Sequence, residues 1–124
     1  MKIVIGGKQY PIVPGKNALA EEIAALCPFP LNMERSGSHE FYAPLPKRVS
    51  TDGAVETSAV KRGGVYYFAP WNAFSLVFTD TDIAPYKVFE IGQAEETLAV
   101  TLEQAGNQLN ITIEEQQNEE LYTQ

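Results

Sequence analysis

Residues Gly63–Phe78 read GGVYYFAPWNAFSLVF, and the way this stretch divides decides the fold. Gly64–Ala69, GVYYFA, is dense in aromatic and β-branched residues, the side chains that suit a pleated strand. In Phe74–Thr79, FSLVFT, the residues Phe74, Leu76 and Phe78 share one face of an extended chain. Between the two runs, Pro70-Trp71-Asn72 leaves room only for a tight corner. Tyr66 and Tyr67 are successive, so one points inward and the other outward.

Working outward, Glu40–Leu45 alternates, with Phe41 and Leu45 on one side and Glu40 and Tyr42 on the other. Lys47–Gly63 is polar, contains Asp52-Gly53, and reads as a long loop or loose hairpin. Downstream, Tyr86–Ile91 is a strand ending at Gly92. Glu95–Ala105 fits two patterns: Leu98, Val100 and Leu102 alternate, while Ala94, Leu98, Leu102 and Ala105 share a helical face. Its Glu, Leu, Ala and Gln content favours the helix. Leu109, Ile111 and Ile113 then form the inward side of a last strand.

At the other end, Ile3-Val4-Ile5, Gly6-Gly7 and Lys8–Val13 read as a hairpin that Pro14-Gly15 stops. Asn17 is a good helix N-cap, Glu21 and Glu22 suit the positive end of the helix dipole, and Leu19, Ile23, Leu26 and Cys27 fall on one face. Pro28 and Pro30 end that helix. Seven or eight short strands with one or two helices imply a closed or nearly closed antiparallel barrel, which removes exposed edges.

Composition narrows the function classes. The 124 residues suit one domain, and an apolar fraction of 44% is ordinary for a globular chain. No run approaches the length of a membrane span, and the N-terminus lacks a signal-peptide pattern, so a cytoplasmic location is expected. Cys27 is the only cysteine. It excludes an internal disulfide and a cysteine zinc cluster, and on an apolar face it reads as a small buried hydrophobe. The net charge of −7 is concentrated at the end, where Glu114, Glu115, Glu119 and Glu120 carry four of the 16 acidic residues. Residues 116–124 therefore read as an acidic, flexible tail after a barrel domain over 1–115. The lack of a basic face argues against nucleic-acid binding. Lys47, Arg48, Lys61 and Arg62 do gather around one segment. They read as loop flanks, with an anion site the lesser option.

Four stretches in order, SGSHEFYAPLPKRVS, GGVYYFAPWNAFSLVF, YKVFEIGQAEETL and LNITIEE, resemble the small bacterial and archaeal cyclophilin-like domains, a family whose biochemical role is largely undefined. The resemblance spans residues 1 to 115. It implies a mainly β fold: a small closed antiparallel barrel of about eight strands, a helix covering one end, and a second helix over residues 95–105. The family often opens its strand with Gly-Asp where this chain has Gly63-Gly64, so nothing is carried over to that position.

The fold likeness brings one enzymatic reading, prolyl isomerisation, which requires lowering a barrier of roughly 20 kcal/mol. The resemblance implies that a true cyclophilin does this with an arginine near the prolyl nitrogen, a glutamine on the backbone and a pocket for the ring. The expected Phe-x-Arg strand followed by Phe-x-x-Gln is not found, and the only arginines are Arg35, Arg48 and Arg62. His39 and Glu40 are adjacent on a predicted strand, so their side chains should diverge and form no acid–base pair. One histidine gives little support for a metal site, no cofactor is implied, and no Ser-His-Asp set assembles. The leading expectation is a non-catalytic cleft using Arg35, Glu40, Tyr42, Trp71 and Phe74 to bind a small molecule or an extended peptide. A weak or specialised isomerase, with Arg35 the arginine it would depend on, is the alternative. Self-association of a homo-oligomer through exposed aromatics such as Trp71 is the third reading.

Overall fold

The computed structural model describes residues 1–115. The Gly6-Gly7 turn folds β1 (Lys2–Ile5) onto β2 (Lys8–Pro14), pairing Ile3 with Tyr10. Helix α1 (Ala18–Leu26) follows, and the Asn17 side chain accepts a 2.9 Å hydrogen bond from the Ala20 amide, as its N-cap role predicts. Next come β3 (Phe29–Ser36), β4 (Glu40–Pro44), the two-residue strands β5 (Glu56–Thr57) and β6 (Ala59–Val60), and β7 (Gly64–Phe68). A 3-10 turn over Ala69–Trp71 leads into β8 (Ala73–Val77), then β9 (Thr81–Asp82), β10 (Val88–Ala94), α2 (Glu96–Gln104) and β11 (Gln108–Glu114).

Eight of these strands form one continuous antiparallel ring in the order β2-β1-β11-β3-β4-β8-β7-β10, and β10 closes it by pairing with β2. The seam needs a glycine. At Gly92, where β10 shifts register against β7, a side chain would run into the Val13 carbonyl and the Pro14 backbone. β5 adds to the outside of β10, and β6 pairs with β9 as a separate ribbon. Lys47–Gly63 is thus neither all loop nor a hairpin, since its two short strands pair with β10 and β9 and not with each other. β3 starts at Phe29, so Pro30 lies within it, set opposite Thr112.

Strand alternation divides the wall into two faces. Phe41, Val65, Tyr67, Phe74, Leu76, Ile91 and Ile113 turn inward, where Leu19 and Ile23 of α1 and Leu98 and Leu102 of α2 join them in one core. A smaller cluster lies outside the wall: Tyr66, Val77 and Val88 are buried beneath Val60, with Phe68 and Ile83 packed alongside. This outer cluster holds the β5–β6 and β9 excursions against the barrel. Two backbone bonds help, from the Ile83 amide to the Ser58 carbonyl at 2.8 Å and from the Glu90 amide to the Val55 carbonyl at 2.9 Å.

Arginines serve as clips. Arg62 donates to both Glu96 and Glu103 of α2 and to the Phe78 carbonyl. Its guanidinium holds both carboxyls below the usual carboxylate range, and they in turn push Arg62 up. Arg48 donates to the Ala69 carbonyl at 2.9 Å. The two arginines of the basic segment are therefore engaged within the fold. Cys27 is half-buried, and burial pushes its thiol up, which makes it a poor nucleophile. Glu114 belongs to β11, opposite Lys2, and not to a solvated tail; residues 116–124 lie outside the described residues. No described helix is long and apolar enough to cross a membrane.

Candidate functional site

A groove of about 840 Å³ runs along the outer wall of the barrel, within the roughly 300–1,000 Å³ typical of small-molecule sites. It exists because of residue size on one strand. The outward positions of β8 that line it are small, Ala73 and Ser75, whereas the ladder partners that line it with them, Tyr42, Tyr66 and Phe68, are large. Ser75 stands between Tyr42 of β4 and Tyr66 of β7, and Ala73 lies beside Phe68. Small residues make the floor and rings make the sides. The far side is supplied by the excursions, through Val60, Ile83, Pro85, Tyr86 and Lys87.

The rings form a connected set. Phe68 meets Trp71 edge-on with centroids 5.3 Å apart, Tyr42 tilts against Trp71 at 5.9 Å, and Phe68 meets Tyr86 edge-on at 6.2 Å. Trp71 and Tyr86 are nonetheless 63% and 64% exposed. The corner that presents Trp71 is fastened. Asn72, in the left-handed region at φ 50°, accepts from the Tyr67 hydroxyl at 2.6 Å and donates to the Leu45 and Lys47 carbonyls. A tryptophan held out on a fixed corner can meet a ligand with little loss of conformational freedom.

Glu40 lies at the end of the groove away from that corner's sequence. Its Oε1 accepts from the Ser75 hydroxyl, and its Oε2 stands 3.5 Å from His39 Nε2. The expected divergence of His39 and Glu40 is corrected here: β4 begins at Glu40, so His39 still belongs to the turn around Gly37 and does not obey strand alternation. The order of contacts differs from that of an acyl-transfer triad. The carboxylate lies between serine and histidine, so the imidazole is not placed to take the serine proton. The cluster presents a held carboxylate with acceptor capacity left over. Among the described residues no group of three or more His, Cys, Asp and Glu side chains is arranged to hold a metal ion.

Of the five residues expected in one cleft, Glu40, Tyr42 and Trp71 come together on this groove. The other two do not. Phe74 is wholly buried on the opposite face of β8, in the barrel core. Arg35 lies at the end of β3, donating to the Leu102, Ala105 and Gly106 carbonyls at the C-terminus of α2. Its guanidinium also rests 4.9 Å from the ring centres of Phe41 and Phe78. Ser75, Phe68 and Tyr86 line the groove in their place. The signal for Ser75 was present in the sequence, as a small polar residue at an outward position between tyrosine-bearing strands.

Tyr66 shows how the glycine pair shapes this wall. Its hydroxyl accepts from the Lys61 amide at 2.9 Å, its ring passes over Gly64, and burial pushes its ionisation up. A β-carbon at residue 64 would collide with that ring. Gly64→Ala is expected to cost about 1–3 kcal/mol and to shift the Lys61 amide resonance as its bond to Tyr66 breaks. Denaturant unfolding and an amide NMR spectrum check both.

Residues 3–114 match the model of a family described as the cyclophilin-like family. In fold, the chain is similar to the solution structure of a hypothetical protein from Archaeoglobus fulgidus, with a TM-score of 0.62 and 21% identity over 93% of this chain and 92% of that one. At that identity the likeness speaks for the fold alone. No curated protein matches this chain.

Proposed function

Because the chain belongs to the cyclophilin-like family and carries an open, aromatic-sided groove on its barrel wall, we propose that it is a non-catalytic domain that binds a small molecule there. The groove carries this reading. Its volume, its rings and its few convergent polar groups are the features of a ligand site. A small molecule suits it better than an extended peptide, because the floor strand β8 is bonded on both sides, to β4 and β7. Strand addition needs a free edge, and recognition at this floor falls to side chains.

Prolyl isomerisation is supported less well. No arginine lines the groove, while Arg35, Arg48 and Arg62 are committed to backbone carbonyls elsewhere. Self-association through Trp71 and Tyr86 makes a different prediction, a change of mass in solution when either ring is removed.

The test is a fragment screen of aromatic-bodied compounds, followed by amide NMR shifts and Trp71 fluorescence. Trp71→Ala is expected to weaken any compound that shifts the groove residues by tenfold or more. The variant should keep the melting temperature close to that of the parent, since the ring is mostly exposed. Unchanged affinity, or a change of oligomeric mass in place of a change in binding, would count against the proposal.

A further inference from the structure

Resting on that reading of the groove, we propose that its ligand carries an ammonium group on an apolar body, with the charge at Glu40 and the body among Tyr42, Phe68, Trp71 and Tyr86. The argument is one of charge complementarity in a confined space. Four ionisable side chains other than tyrosines line the groove: His39, Glu40, Glu56 and Lys87. Glu56 and Lys87 offset each other at 3.9 Å. That leaves the Glu40 end, where the groove's nearest cationic candidate is His39, on one carboxylate oxygen. Glu34, whose carboxylate accepts from the Tyr42 hydroxyl at 3.4 Å, adds negative charge behind Tyr42, where it lines a separate depression.

The surroundings favour a cation for two further reasons. A carboxylate has about four acceptor positions, and Ser75 donates to only one of its oxygens. An ammonium supplies up to three donors to what remains. The rings that would hold the body are electron-rich on their faces, which suits a ligand of net positive charge and disfavours an anion. An anionic ligand of the same shape would meet Glu40 with like charge, and a neutral one would forgo both interactions. Ser75 also fixes the carboxylate in advance, because it sits directly on the floor between Tyr42 and Tyr66.

The experiment compares three probes of one shape and different charge, 2-phenylethylammonium, 2-phenylethanol and 3-phenylpropionate, titrated into the whole chain and followed by the Trp71 indole and Glu40 amide resonances. The ammonium is expected to bind about tenfold or more tightly than the alcohol, with the carboxylate weakest. Glu40→Gln should reduce the cation preference to below about threefold, and Glu40→Asp should keep part of it. An amide spectrum dispersed like the parent's shows that each variant is folded, and the three-probe comparison on the parent needs no variant. If the ammonium and the alcohol shift the groove with equal affinity, the groove reading stands and the ammonium inference is overturned. If none of the probes shifts the groove, both fall. A cation preference that survives intact in Glu40→Gln also overturns the assignment to Glu40.

Discussion

Phe74→Ala is expected to destabilise the barrel by about 3–5 kcal/mol, read as a lowered denaturation midpoint by circular dichroism. The ring is fully buried and packs in the main core with Phe41, Leu76 and Tyr67. Removing it leaves a cavity that a closed ring of bonded strands cannot collapse to fill. The molecules that remain folded should bind a groove ligand with affinity close to that of the parent, because the β-carbon of Phe74 points away from the groove. Stability and binding therefore separate at this position. A loss of affinity with no loss of stability would return Phe74 to the binding surface and contradict the packing described here.

Arg35→Ala is expected to cost about 2–3 kcal/mol, the second largest effect. The last carbonyls of a helix have no partner within it, and α2 ends with no lysine, arginine or histidine of its own in its last turn. Arg35 provides that partner from 67 to 71 residues away in the chain, bonding Leu102 at 3.1 Å, Ala105 at 2.7 Å and Gly106 at 3.3 Å. It also lies across two buried rings, so truncation removes packing as well as charge. Amide hydrogen exchange should accelerate over the last turn of α2 and the Asn107 turn in step with the loss of stability. Arg35→Lys should recover only part of it, since a lysine cannot reproduce the planar fork that reaches several carbonyls at once.

These two positions also show what the sequence could and could not convey. The Gly6-Gly7 hairpin, the Asn17 cap, the alternation in β4 and β8, and helix α2 were legible because each depends on near neighbours in the chain. Phe74, Leu76 and Phe78 were recognised as sharing a face, yet which face looked into the core depended on how β4, β8 and β7 met across the sheet. Ala73 and Ser75, not Phe74, are the β8 residues that share the groove with Glu40 and Tyr42. Arg35 was drawn toward the cleft by its nearness in sequence to Glu40, whereas its partners are roughly seventy residues downstream. β5, β6 and β9 are two residues each, too short to show any period. The approach of His39 to Glu40 depended on a single residue of phase, the place where turn becomes strand.

The small outward residues of β8 have a consequence for how such a protein diversifies. Along that strand, Ala73 and Ser75 face the groove, Val77 joins the outer cluster, and Phe74 and Leu76 face the core. Substitutions can rewrite Ala73 and Ser75 while leaving Phe74 and Leu76 untouched, and the barrel's stability can drift without altering the groove. A barrel of this kind can therefore keep its core while the lining of its outer wall changes. Groove lining and core packing are written along one strand as two interleaved texts.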